Sequence, residues 1–127
     1  MTSMKAFFIA SALAAASLMP SAVAQTAPAQ VPLIEPAQVR TLMAPGSKIT
    51  VVDVRTQAEW DQGHINGAIL MPLDQLPNTY SKLPKTGKLI VYCRSGHRSG
   101  QAVQFLLAHG YTNAVSMNGG FIAWSQK

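Results

Sequence analysis

The stretch Lys88-Leu89-Ile90-Val91-Tyr92-Cys93-Arg94-Ser95-Gly96-His97-Arg98-Ser99-Gly100 decides the fold. After Lys88 it is apolar and rich in β-formers up to Tyr92, the pattern of a strand buried on both faces of a parallel sheet. Polar residues and glycines follow at once. Gln101 to His109 then carries Ala102, Val103, Phe105, Leu106 and Leu107 on a broad apolar helical face, with Gly110 as its stop. The polar loop therefore sits beyond the carboxyl end of a strand, where ligands gather in open α/β sheets. It also leads into a helix N-terminus, whose unpaired N–H groups and positive dipole end favour anions.

Working outward, the same alternation recurs. Ile49-Thr50-Val51-Val52-Asp53-Val54 is a second buried strand, and Ala68 to Met71 and Ala114 to Met117 are shorter ones. Pro36 to Met43 predicts a short helix stopped by Pro45-Gly46. Thr56 with Glu59 forms the Thr-x-x-Glu capping box of another. Gly119-Gly120 leads into a helical turn over Phe121 to Trp124. Strands alternating with helices predict an α/β domain with a central, mainly parallel sheet and helices on both faces. No internal repeat interrupts it.

The loop carries the single cysteine of the 127 residues. One cysteine forms no intramolecular disulfide and no Cys-based zinc or iron–sulfur site. Ser95 and Gly96 are small enough for successive N–H groups to turn inward as an anion-binding nest, with Arg94 and Arg98 adjacent. Such a setting lowers a thiol from about 8.5 into the range of roughly 3.5–7.5. Cys93 is thus predicted to be a nucleophilic thiolate rather than an inert buried hydrophobe, since its flanks are polar. No His pair has metal-ligand spacing, so neither metal nor cofactor is predicted.

Three stretches then align with one known family. They are Asp53-Val54-Arg55 with Glu59-Trp60-Asp61-Gln62-Gly63-His64-Ile65-Asn66-Gly67-Ala68, the Val91-to-Ser99 active loop, and Asn118-Gly119-Gly120-Phe121-Ile122-Ala123-Trp124. In this order and spacing, covering about residues 34–127, the chain resembles a single-domain rhodanese, a thiosulfate sulfurtransferase of the small periplasmic type. The resemblance implies a three-layer rhodanese-like domain with about five strands. It implies that Cys93 becomes a persulfide, with Arg94, Ser95, Gly96, His97, Arg98 and Ser99 forming the substrate loop. The partners implied are a small anionic sulfur donor and a thiol or cyanide acceptor. A basic residue after the cysteine goes with thiosulfate in the family, which Arg94 matches. The rivals are a sulfur-carrier or thiol-interaction module serving a protein acceptor, a binding module without catalysis, and a phosphatase or arsenate reductase on the same fold. Four residues separate Cys93 from Arg98, one fewer than in the fold's phosphatases, leaving less room for a tetrahedral phosphate.

Asp53, Arg55 and Glu59 are supporting residues. The resemblance implies that Asp53 lies beneath the loop, bonding backbone N–H groups or an arginine; the local alternative is a cap of the Thr56 turn. Arg55 and Glu59 are four apart and can pair, with Arg98 an alternative partner for Glu59. The resemblance implies that His64 belongs to a structural turn, with a catalytic base as the alternative, and His109 is read as complementing a helix end. His97 either touches substrate or faces solvent. Trp60 and Trp124 are read as packing residues rather than binding platforms, with walling of the pocket as the alternative for either.

The N-terminus follows a different logic. Lys5, the apolar run Ala6 to Met19 and Ala22-Val23-Ala24 read as a cleaved secretory signal peptide over residues 1–24. Its fourteen-residue apolar run is short of the roughly 20 residues that span a bilayer. Residues 25–33 are read as a flexible leader, residues 34–127 as the domain, and the product as soluble, periplasmic and free of membrane and nucleic acid. The net charge of +5 is uneven: residues 25–74 hold three basic and five acidic side chains, residues 75–127 six basic and none acidic. That excess suits steering of a small anion.

Overall fold

The structure, a computed structural model, describes residues 30–126. The expected signal peptide and residues 25–29 of the leader lie outside the described residues. Five strands form one sheet: β1 (Leu33–Ile34), β2 (Ile49–Asp53), β3 (Ile69–Leu70), β4 (Lys88–Tyr92) and β5 (Ala114–Met117). Their order is β1-β5-β4-β2-β3, and every pairing is parallel. Leu33, which the sequence reading assigns to the leader, is instead paired with Ser116, and the Ser116 N–H donates to Pro32 O at 2.9 Å.

Helices α1 (Pro36–Leu42), α2 (Gln57–Gln62), α3 (Leu76–Thr79), α4 (His97–Ala108) and α5 (Gly120–Ser125) connect and follow the strands. Single 3₁₀ turns flank α3 at Leu73–Gln75 and Tyr80–Lys82. The period of two along each strand divides the core into two layers. Val52, Leu89, Val91 and Ala114 meet Ala102, Val103 and Leu106 of α4, together with Leu76 and Leu83. Val51, Ile90, Tyr92, Val115 and Met117 face the other way, onto Val39 of α1, Ile65, and Phe121 and Trp124 of α5. A fully buried side chain such as Leu106 contributes about 1.5–3 kcal/mol. The result is the three-layer α/β domain expected from the alternation.

This stacking positions the site. The register Asp53↔Tyr92 brings the ends of β2 and β4 level, and Val91↔Ser116 sets β5 beside them. Cys93, the residue after β4, therefore emerges at the carboxyl edge of the two central strands. Helix α4 starts at His97, four residues earlier than its apolar face suggests, so the second half of the loop is its first turn.

Candidate active site

Against the expectation from its polar flanks, Cys93 is buried, 1% exposed and part of the core layer that meets α4. The reason is that β4 carries it to the edge of that layer while its neighbours Arg94 and Ser95 turn outward. Its Sγ accepts the Gly96 N–H at 3.0 Å and the Ser99 N–H at 3.3 Å, with Ser99 Oγ at 3.6 Å. Burial pushes the thiol up, but the Ser99 N–H and hydroxyl and the N–H groups of Gly96 and Ser95 outweigh it, and the net shift is downward. Backbone makes the nest possible. Gly96 caps α4 at φ +112°, in the region that favours glycine, and so turns its N–H back towards the sulfur.

The loop is held from outside by α5. Phe121 N–H donates to Cys93 O at 2.7 Å, and Ile122 N–H donates to Arg94 O at 3.1 Å. In a trans peptide the N–H points opposite to the C=O, so drawing these carbonyls outward turns the following N–H groups inward. The contact needs glycine: a Cβ on Gly120, whose φ is +60°, would lie 2.6 Å from Cys93 O and closer still to Arg94 O. The carbonyl clamp was absent from the sequence reading, although the Gly119-Gly120 pair was the visible trace of it.

Beneath the loop, Asp53 and Arg55 form a buried ion pair, with exposures of 0% and 4%. Arg55 Nε donates to Asp53 Oδ1 at 2.9 Å and Nη2 to Oδ2 at 2.7 Å, while the Arg55 N–H also reaches Oδ1 at 2.9 Å. A further Nη2 bond, to Gly63 O at 2.7 Å, ties β2 to the end of α2. The same guanidinium lies over the Phe121 ring, 4.5 Å from its centroid. Arg98 makes a two-pronged bond to Glu59, at 2.8 and 2.9 Å. Arg94, Arg55, Glu59, Gln62, Gly63, Phe121 and Ile122 line a cleft of about 210 Å³ beside the loop.

A family model for the rhodanese-like domain matches residues 35–127. The chain belongs to the rhodanese-like family. Among curated relatives, a sulfurtransferase of Allochromatium vinosum is 39% identical over 66% of this chain and 78% of its own length. The thiosulfate sulfurtransferase GlpE of Shewanella oneidensis is 30% identical over 66% of this chain and 83% of its own. Other relatives are longer, and the chain spans 24% of their length. The human single-domain sulfurtransferase TSTD1 superposes with a TM-score of 0.69 at 29% identity, covering 76% of this chain and 96% of that one.

Within this rhodanese domain the residues predicted from sequence fall into three groups. Cys93, Ser95, Gly96 and Ser99 make the cradle itself. Arg94 and His97 stand on its rim with exposed side chains. Asp53, Arg55, Glu59 and Arg98 brace it, and of the two partners open to Glu59 the structure has Arg98. Arg55 is taken by Asp53, so Glu59 pairs with Arg98. The reason is local: Arg55 precedes Thr56, the α2 cap, and so is not on the helical face that an i,i+4 pair requires. Asp53 meets an arginine and a local backbone N–H rather than the loop's N–H groups. His64 stacks on Trp60 at 3.5 Å with its Nδ1 2.9 Å from Trp60 O, a turn-building position. The sequence reading also missed Tyr92, whose hydroxyl accepts the Ile65 N–H at 3.0 Å, and Ser116, whose hydroxyl lies 2.7 Å from that of Ser99.

Proposed function

We propose that this rhodanese-like protein is a thiosulfate sulfurtransferase working through a Cys93 persulfide. The observation that carries the reading is the ring of N–H groups closed on a single sulfur atom, with Gly96 at 3.0 Å and Ser99 at 3.3 Å. Cys93 thiolate attacks the outer sulfur of thiosulfate. A new S–S bond forms at Sγ, the S–S bond of thiosulfate breaks, and its electron pair leaves with sulfite. Cyanide or a thiolate then attacks the outer sulfur of the persulfide and leaves as thiocyanate or a new persulfide, restoring the Cys93 thiolate. The inward N–H groups stabilise negative charge on either sulfur, as preorganised donors do in anion-stabilising sites. Arg94, exposed at the rim, supplies positive charge for the dianionic donor.

The thiosulfate relative supports the choice of donor, and the short loop supports sulfur over phosphate. Arg98, the group a phosphatase would turn towards its phosphate, is engaged by both oxygens of Glu59. The apolar run Ala6 to Met19 and the Ala22-Val23-Ala24 site support an exported, periplasmic location. The acceptor in that compartment is a small thiol or a protein thiol.

The test is mass spectrometry of the purified protein after thiosulfate treatment. Cys93 is expected to gain one sulfur atom with release of one sulfite, and Cys93→Ser is expected to do neither. A wild-type protein that gains no sulfur, or that hydrolyses a phosphate ester faster than it turns over thiosulfate, overturns the reading.

A further inference from the structure

We propose that Ser116 is a positioning residue that aims the Ser99 hydroxyl at the reactive sulfur. Ser116 lies on β5, outside the loop, and both serines are fully buried. Ser99 Oγ stands 2.7 Å from Ser116 Oγ, 3.1 Å from Gly96 O and 3.6 Å from Cys93 Sγ. Each hydroxyl has one proton to give and two lone pairs to receive. Among the described residues the Ser116 hydroxyl bonds to Ser99 Oγ alone. If Ser99 donated to Ser116, the Ser116 proton would be buried without an acceptor, which is the costly arrangement.

The opposite direction satisfies every group. Ser116 donates to Ser99, and the Ser99 proton is left for Gly96 O or the sulfur. With a neutral thiol, Ser99 accepts from both Ser116 and the S–H and donates to Gly96 O. With a thiolate, the Ser99 proton turns to Sγ, adding an O–H donor to the N–H groups of the nest. No proton changes owner in this switch beyond the one the thiol itself loses. Ser116 donates to Ser99 in both states, which makes the Ser99 O–H the stronger donor. That gain is larger against a charged sulfur than against a neutral carbonyl, so the ionised form is favoured. Hydroxyl chains of this kind polarise one another inside a low-dielectric core.

The inference rests on the persulfide reading for its purpose but not for its test. Cys93 is alkylated with iodoacetamide, a neutral reagent, as a function of pH, so no sulfur donor enters the measurement. Ser116→Ala is expected to raise the midpoint of thiolate reactivity by about 0.5–1 pH unit. Ser116→Thr and Ser116→Val add similar bulk and differ in the hydroxyl, so the Thr variant is expected to keep the lower midpoint and the Val variant to lose it. A purely structural serine would lower thermal stability in these variants without separating their midpoints. Equal midpoints for Thr and Val overturn the proposal, as does an unshifted midpoint in Ser116→Ala. Wild-type protein with a low midpoint that gains no sulfur from thiosulfate would sink the sulfurtransfer reading and leave the role of Ser116 standing.

Discussion

At the scale of single residues, Glu59 joins two tasks that the sequence presents separately. Its Oε1 accepts the Thr56 N–H at 3.2 Å, completing the α2 cap, and also the Arg98 guanidinium at 2.8 Å. The Arg98 bond, reinforced by Thr56 and opposed by burial, lowers the carboxyl from 4.5 to about 2. A carboxylate whose folded value lies below its unfolded one stabilises the fold above the unfolded value. That stability is lost as pH falls through about 4.5 towards about 2. Glu59→Gln is therefore expected to cost about 1–2 kcal/mol at neutral pH, allowing for screening of a partly exposed pair, and to flatten this acid slope. Denaturant midpoints of both proteins from pH 7 down to about pH 2 check it. Parallel slopes would show that Arg98 gains nothing from Glu59. The pairing was only half legible. Glu59 was marked by the Thr-x-x-Glu spacing, but Arg98 lies 39 residues away, and only the closed fold brings the two together.

At the scale of elements, the site is a strand end and a helix start clamped by a second helix start. The β2, β4 and β5 segments were readable because β-branched and apolar runs announce buried strands, and α1 and the α2 cap because Pro36 and Thr56 mark helix starts. The first turn of α4 was not, since His97, Arg98 and Ser99 are polar and Gly100 weakens the helical signal. Its helicity comes from the Gly96 cap and the tertiary setting instead. β1 has two residues and the 73–82 region single turns, too short for any period to show. The clamp from α5 left only the Gly119-Gly120 pair as a trace for a different reason: it is made by backbone N–H groups, which every sequence has. It nonetheless has a sharp test. Gly120→Ala puts a Cβ against Cys93 O and Arg94 O at a positive φ. It is expected to destabilise by about 1–3 kcal/mol and to raise the Cys93 alkylation midpoint as the loop carbonyls are displaced. An unchanged midpoint would mean that the nest is held without α5.

At the scale of the whole molecule, charge and topology each have a consequence. The basic excess of residues 75–127 is on the part of the chain that carries the loop. Thiosulfate loading is therefore expected to slow by about three- to tenfold between low salt and about 0.5 M salt, while alkylation by neutral iodoacetamide stays flat. Stopped-flow rates for both reagents separate steering from general salt effects. A loading rate indifferent to salt would remove the steering argument. Topology acts on time rather than on rate of encounter. Every strand pairing is parallel and hence spans many residues, so the sheet closes slowly and through distant partners. Ser116, Phe121 and Ile122, which finish the surroundings of Cys93, come late in the chain. As the polypeptide emerges from the ribosome, the cysteine exists well before its activating shell does. The newborn chain thus carries a thiol whose surroundings are still open, and they close only once α5 has been made.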